Sequence, residues 1–201
     1  MATCWEPGAP VQLSHSDNPS RKLSWTLERV DMGGGWIGVN TARPNQVVVE
    51  GIRAGRIPPL VGYRGLRLEV PFEPADLPRG RIDIGLAEGP GPDALVEVKN
   101  VTLLDGGSLR FPDAVSVRGR KHLDLLQAAV LLGLRGVILF AANRPEGARV
   151  GPAWGIDGAY ARRLLEVVEG GVEALAVRLV HSAEGIDAGE LLPVDLEPPQ
   201  A

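Results

Sequence analysis

The first forty residues alternate between apolar and polar positions. "PVQLSHS" and "KLSWTLERV" each carry a period of two, and "GWIGVN" follows a Gly-Gly-Gly break, so three short strands are predicted between residues 10 and 40. Three short strands do not make a stable unit alone, so they need neighbours to pack against. After Pro44 the period changes. "NQVVVEGIRAGRI" sets Val47, Val48, Ile52 and Ile57 near one helical stripe, which ends at the "PPL" stop. "LRLEV", "GRIDIGLA" and "ALVEVKNV" then alternate again and predict three strands separated by polar turns. Asp113 stands where an N-cap is wanted for a helix from about 114 to 133, whose apolar face holds Leu123, Leu126, Ala129, Val130 and Gly133. "RGVILFAA" is a continuous apolar run, the signature of a strand covered on both faces. A helix near 157–169 and a strand near 173–180 follow, and the last residues, rich in Pro and acids, read as a tail. The order α-β-β-β-α-β, then α-β, predicts an α/β (α+β) fold with a mixed sheet flanked by helices.

Strand parity sorts the side chains of the three-strand meander. Leu66, Leu68 and Val70 oppose Arg67 and Glu69; Ile82, Ile84 and Leu86 oppose Asp83 and Gly85; Val96 and Val98 oppose Glu97 and Lys99. If the apolar sets share one core, Glu69, Asp83, Glu97 and Lys99 gather on the other face, with Gly85 leaving room beside Asp83. Carboxylates on neighbouring strands repel unless a positive charge lies between them. A hard cation such as Mg²⁺ takes one or two carboxylates and fills its other positions with water and phosphate. A nearby Lys can then stabilise the charge that develops when water attacks a phosphodiester. A solvent-facing strand with cross-strand ion pairs fits the same pattern, so at this point both readings stay open.

The basic residues sharpen the picture. Eighteen are Arg and three are Lys: Lys22, Lys99 and Lys121. Where Arg serves almost everywhere, a retained Lys points to a place that needs a compact ammonium. The net charge of −4 disfavours a generic nucleic-acid binder, but residues 184–201 carry five acids and no base. Between 43 and 81, seven Arg face four acids, Glu50, Glu69, Glu73 and Asp76, which suits a phosphate partner as well as a solvated surface. No apolar run reaches the length of a membrane span, and "MATCWEPGAPVQ" has neither a basic start nor an apolar stretch. With Cys4 as the one cysteine, no internal disulfide forms, and a cytoplasmic protein without membrane contact is expected. Cys4, His15 and His181 have no zinc-type spacing. "GGGWIGVN" lacks the strand-loop-helix context of a nucleotide loop. Arg118, Lys121 and His122 share one helix face, fit for phosphate contact or for solvent. Trp25 and Trp36 suit either barrel packing or stacking on bases.

"SDNPSRKLSWTLE", "VNTARPN", "RIDIGL", "EVKNVTL" and "FPDAVSVRGRKHL" resemble the sugar fermentation stimulation protein A family, in register from about residue 3 to 194. The resemblance implies a partial OB-like β segment at 1–42, a PD-(D/E)XK nuclease-like domain at 43–196, and a tail at 197–201. It implies Asp83 and Glu97 as ligands of Mg²⁺ or Mn²⁺ and Lys99 as the catalytic lysine. The third carboxylate is Glu69 or, from the first helix, Glu50. Arg118, Lys121, His122, Arg81 and Lys22 would contact nucleic acid. The function implied is non-specific DNA binding, with metal-dependent phosphodiester hydrolysis by analogy of fold; the alternative is a non-catalytic DNA-binding regulator of maltose metabolism. The chain departs from the family at its front, where "MATCWEPGAPV" stands at a segment that members precede with further barrel strands. An incomplete barrel would expose a strand edge and apolar surface, which a homodimer would cover.

Overall fold

Strands β1 (Val11–His15), β2 (Trp25–Asp31) and β3 (Trp36–Gly38) form a three-stranded sheet in the order β1-β2-β3. The computed structural model describes residues 3–75, 77 and 79–198; Asp76 and the last three positions of the expected tail lie outside them. Leu13 pairs with Leu27 and His15 with Trp25 across β1 and β2. Trp25 is 59% exposed; among the described residues it meets His15 in a tilted contact, ring centres 4.7 Å apart, and is not a buried barrel side chain. Trp36 instead lies beneath the Arg29 guanidinium, 4.7 Å from the ring centre.

This sheet is tied to the rest by charge. Glu28 on β2 accepts both Nε (3.0 Å) and Nη2 (2.8 Å) of Arg43, the first residue of α1 (Arg43–Arg53), along with Ser14 and Asn40. The Arg43 bonds outweigh burial and hold the Glu28 carboxyl down to about 2. Arg29 Nη1 donates to the Ser182 carbonyl at 2.9 Å.

The expected mixed sheet is present. β4 (Gly65–Phe72), β5 (Gly80–Ala87), β6 (Ala94–Val101), β9 (Arg135–Ala142), β11 (Glu173–His181) and β12 (Ile186–Leu192) pair in the order β12-β11-β9-β6-β5-β4. β6, β9 and β11 run parallel; the outer pairs are antiparallel. The apolar run of β9 is buried on both sides. Val137, Leu139 and Ala141 meet the cluster built on α1, while Ile138, Phe140 and Ala142 meet the cluster under α2 (Val117–Leu131) and α3 (Gly158–Glu169). A second small sheet, β10-β8-β7, is built from β7 (Leu103–Asp105), β8 (Ser108–Phe111) and β10 (Val150–Pro152), with no counterpart in the sequence reading.

Two local expectations are corrected. The helix expected from about 114 begins at Val117, because Ser116 rather than Asp113 is its cap: Ser116 Oγ accepts the Gly119 N–H at 3.0 Å. The parity of the meander also fails at Glu69, which has a left-handed backbone (φ +53°). Leu66 packs on the α1 side, Leu68 is 57% exposed, and Val70 and Phe72 turn to the α2 side. On β5, Ile82 likewise faces the α2 cluster while Ile84 and Leu86 face the α1 cluster. Gly85 leaves room for Val70 rather than for Asp83, since a Cβ there would lie 2.8 Å from Val70 Cγ2.

Asp157 locks the starts of the two helices that cover the site. Its carboxylate accepts Tyr160 N–H (2.9 Å), capping α3, and Ser116 N–H (2.8 Å) at the start of α2, and pairs with Arg120 at 3.2 Å. Burial pushes the Asp157 carboxyl up, but these partners together hold it below the ordinary 3.8. Asp157→Ala is expected to lower stability by about 2 kcal/mol at neutral pH. Because the folded value is depressed, the stabilisation is full above the unfolded value and fades as pH falls through the folded one. Urea unfolding of the two proteins across pH checks this: the gap between them narrows in acid.

Candidate functional site

β6 lies inside the sheet, so side chains from its centre are buried. Glu97 is 2% exposed, and Lys99, two residues on, shares its face. Across the parallel ladder Glu97 is paired with Ile138 and Lys99 with Phe140, which places both polar groups at the edge of the α2-side core. The β5–β6 ladder runs from Leu86↔Ala94 to Ile84↔Val96. One residue further along, the Asp83 carboxylate accepts the Val98 N–H at 2.8 Å. A side chain thus takes the ladder bond, and a pocket of about 400 Å³ adjoins it. Asp83, Glu97, Lys99, Asn45, Arg118 and His122 line that pocket.

One oxygen of Glu97 is heavily used. Lys99 Nζ donates to Oε1 at 2.6 Å, and His122 Nδ1 bonds the same oxygen. Lys99 Nζ is also 3.3 Å from His122 Nδ1. At the far side of the ring, Arg118 Nε donates to His122 Nε2 at 3.5 Å. An accepting Nε2 leaves the ring proton on Nδ1, where it serves Glu97. The other oxygen, Glu97 Oε2, is buried with no hydrogen-bond partner among the described residues. Burial drives the Glu97 carboxyl up, but the His122 bond and the Lys99 charge outweigh it, so Glu97 is held below the usual range as an anion. Asp83 goes the other way. Burial and the adjacent Glu97 charge raise it despite the Val98 N–H, Lys99 and Asn45. The pocket therefore holds one fixed anion and a second carboxylate poorly stabilised as one.

Residues 42–185 match the family model of the sugar fermentation stimulation protein RE domain, and residues 1–39 that of the SfsA N-terminal OB domain. The chain belongs to the sugar fermentation stimulation protein family. A family homologue from Geobacter sulfurreducens is 48% identical over 194 residues, covering 96% of this chain and 81% of that protein. One from Acidithiobacillus ferrooxidans is 44% identical over 187 residues, covering 92% and 79%. Among solved structures, Pyrococcus furiosus SfsA in complex with Ca²⁺ superposes with a TM-score of 0.82 at 25% identity, over 94% of this chain and 79% of that one. No helix among the described residues is long and apolar enough to cross a membrane.

In this sugar fermentation stimulation fold, Asp83, Glu97, Lys99, Arg118 and His122 line one pocket. The other candidates do not join them. Glu69 is exposed and pairs with Arg81 at 3.3 Å, turned out by its own left-handed backbone. Glu50 lies on the exposed side of α1 and accepts from Gln46 at 3.1 Å. Lys121 and Lys22 are exposed and line no part of the pocket. The third carboxylate at the pocket wall is Asp113, which the sequence reading spent on a helix cap. Thr41, from the turn before α1, and Asn45, in its first turn, also line it. Both sit in "VNTARPN", a stretch that carried the family resemblance but had been given no role. Among the described residues no three His, Cys, Asp or Glu side chains converge as a self-sufficient metal cluster.

Proposed function

We propose that this protein is a Mg²⁺- or Mn²⁺-dependent nuclease that binds DNA without sequence preference. The observation that carries the reading is the orphaned Glu97 Oε2, buried beside Asp83. A buried carboxylate oxygen without a partner is rare in a folded protein and calls for a positive occupant. Asp83 and Glu97 fit the few-carboxylate donor set of a Mg²⁺-type site, in which water and substrate phosphate supply the remaining ligands. They would hold the cation, which when bound makes water a stronger nucleophile and neutralises phosphate charge. The Ca²⁺ complex of the Pyrococcus furiosus relative supports a hard, oxygen-seeking cation in this fold.

The chain's own groups have separable tasks. The Val98 N–H fixes Asp83 in place, and His122 with Lys99 pins Glu97 by one oxygen so that the other points free. The Lys99 ammonium stands at the pocket wall, ready to offset negative charge developing on the phosphodiester. Arg118 lies exposed at the same pocket and offers its guanidinium to a flanking phosphate.

Incubation of supercoiled plasmid and single-stranded DNA with Mn²⁺ tests the reading. The parent is expected to nick both, and Asp83→Ala to remove the activity; equal products from parent and variant would overturn the catalytic role. DNA retention that falls with salt and ignores Asp83→Ala, without cleavage, would favour a DNA-binding regulator instead.

A further inference from the structure

A second pocket, of about 390 Å³, lies on the other side of the β7–β8 hairpin. Thr102 and Phe111 line the Asp83–Glu97 pocket, while Leu103, Leu104, Asp105 and Arg110 line this one. The hairpin is therefore a wall shared by both pockets. The opposite side of the second pocket is the segment 152–156, which carries Trp154.

Two residues of this lining carry donors with no acceptor among the described residues. Trp154 Nε1–H is buried and has no hydrogen-bond partner among the described residues. An indole nitrogen can only donate, so it wants an acceptor. Arg110 makes no hydrogen bond or ion pair among the described residues; Asp195 only feels its charge. Its Nη1 lies across Gly151, where a Cβ would come within 2.6 Å. Apolar side chains of Leu103, Leu104 and Ile156 supply flat surface, while the carboxylates of Asp105 and Glu197 sit at the lining as acceptors.

This combination selects the ligand. A simple anion would meet Asp105 and Glu197 as well as Arg110. An aliphatic ligand would bury the indole N–H and the guanidinium unpaired, at a desolvation cost. A planar heterocycle with both acceptors and donors on its edge satisfies all of them, and its face can lie against the apolar wall. The volume falls in the range of small-ligand pockets. We propose that this pocket binds a nucleobase, taking one base of the strand whose phosphate sits at Asp83 and Glu97. The proposal rests on the nucleic-acid reading above and adds to it a base-contacting subsite across the hairpin.

The test is calorimetric titration of the full chain, in EDTA, with the nucleoside 5′-monophosphates and with ribose 5-phosphate as the base-free comparator. Nucleotides are expected to bind and ribose 5-phosphate not to. Trp154→Phe, which keeps the ring and deletes the N–H, and Arg110→Gln should each weaken binding about tenfold. Absence of nucleotide binding, equal binding of ribose 5-phosphate, or binding untouched by both variants would overturn the proposal. Failure here with plasmid cleavage intact sinks the subsite alone. Nucleotide binding that depends on Trp154, with no cleavage, sinks the nuclease reading and keeps the subsite.

Discussion

Under the proposed nuclease function, Lys99→Ala is expected to slow Mn²⁺-dependent DNA cleavage by about 10²- to 10³-fold, the usual loss when one preorganised charge-stabilising donor is removed. It should leave cation binding at least as tight as before. The reasoning starts from the shared oxygen. Lys99 Nζ is 2.6 Å from Glu97 Oε1, and its side chain is itself largely buried. Removing the ammonium deletes a positive neighbour of Glu97 and leaves Oε2 where it was, so a cation meets less repulsion. It also leaves a buried carboxylate with His122 as its remaining partner, and breaking such a pair is destabilising. The variant should therefore unfold at lower urea in EDTA than the parent and regain part of the difference on adding Mn²⁺. Lys99→Arg should not restore the rate, because a planar fork cannot take the place of a compact ammonium between Glu97 and His122. Unchanged cleavage in Lys99→Ala would remove this residue from the chemistry, and a loss of cation affinity would mean that it only shapes the site.

The parts of this site that were legible in sequence are those fixed by the strand repeat alone. Glu97 and Lys99 share a face because they are two apart on β6, and the scarcity of Lys drew attention to one of them. The apolar run of β9 announced a strand buried on both sides, which in turn puts Glu97 deep in the sheet. Glu69 was misplaced for a reason that no polarity pattern carries: one residue at positive φ turns the following side chains to the other face. Asp113 was misplaced because two good capping residues lie three apart, and Ser116 wins the Gly119 N–H. β12 was hidden by its acids. The sequence reading ends its last strand near 180; Asp187 and Glu190 break the apolar pattern until Arg56 and Arg178 are found opposite them, while Ala188 and Leu192 are buried in the two core clusters. Asn45 was out of reach altogether, since its hydrogen bond to Asp83 depends on where the first turn of α1 packs.

The largest stability effect should come from the aromatic core beside the pocket. Phe140 is fully buried, paired with Lys99 across the parallel ladder, and in tilted contact with Phe111 at 5.9 Å between ring centres. Phe111 in turn meets Tyr160 edge-on at 5.3 Å, which carries the contact from β9 through β8 to α3. Phe140→Ala removes a ring from three packed layers that cannot all close in, so it should cost about 3–5 kcal/mol. The neighbouring Tyr160→Phe makes the internal control. Among the described residues its hydroxyl is buried without a partner, and burial pushes that phenol far above its ordinary value, so deleting the oxygen relieves an unsatisfied group. Tyr160→Phe should be neutral or stabilising in the same urea titration. If both variants lost stability alike, the aromatic contacts would not be what holds this layer, and the Tyr160 hydroxyl would have a partner in solution. The two variants should also separate in cleavage assays run where both remain folded. A void beside Lys99 lets the ammonium shift or hydrate and slows the reaction, whereas an apolar ring at 160 leaves Lys99, Glu97 and His122 where they stand.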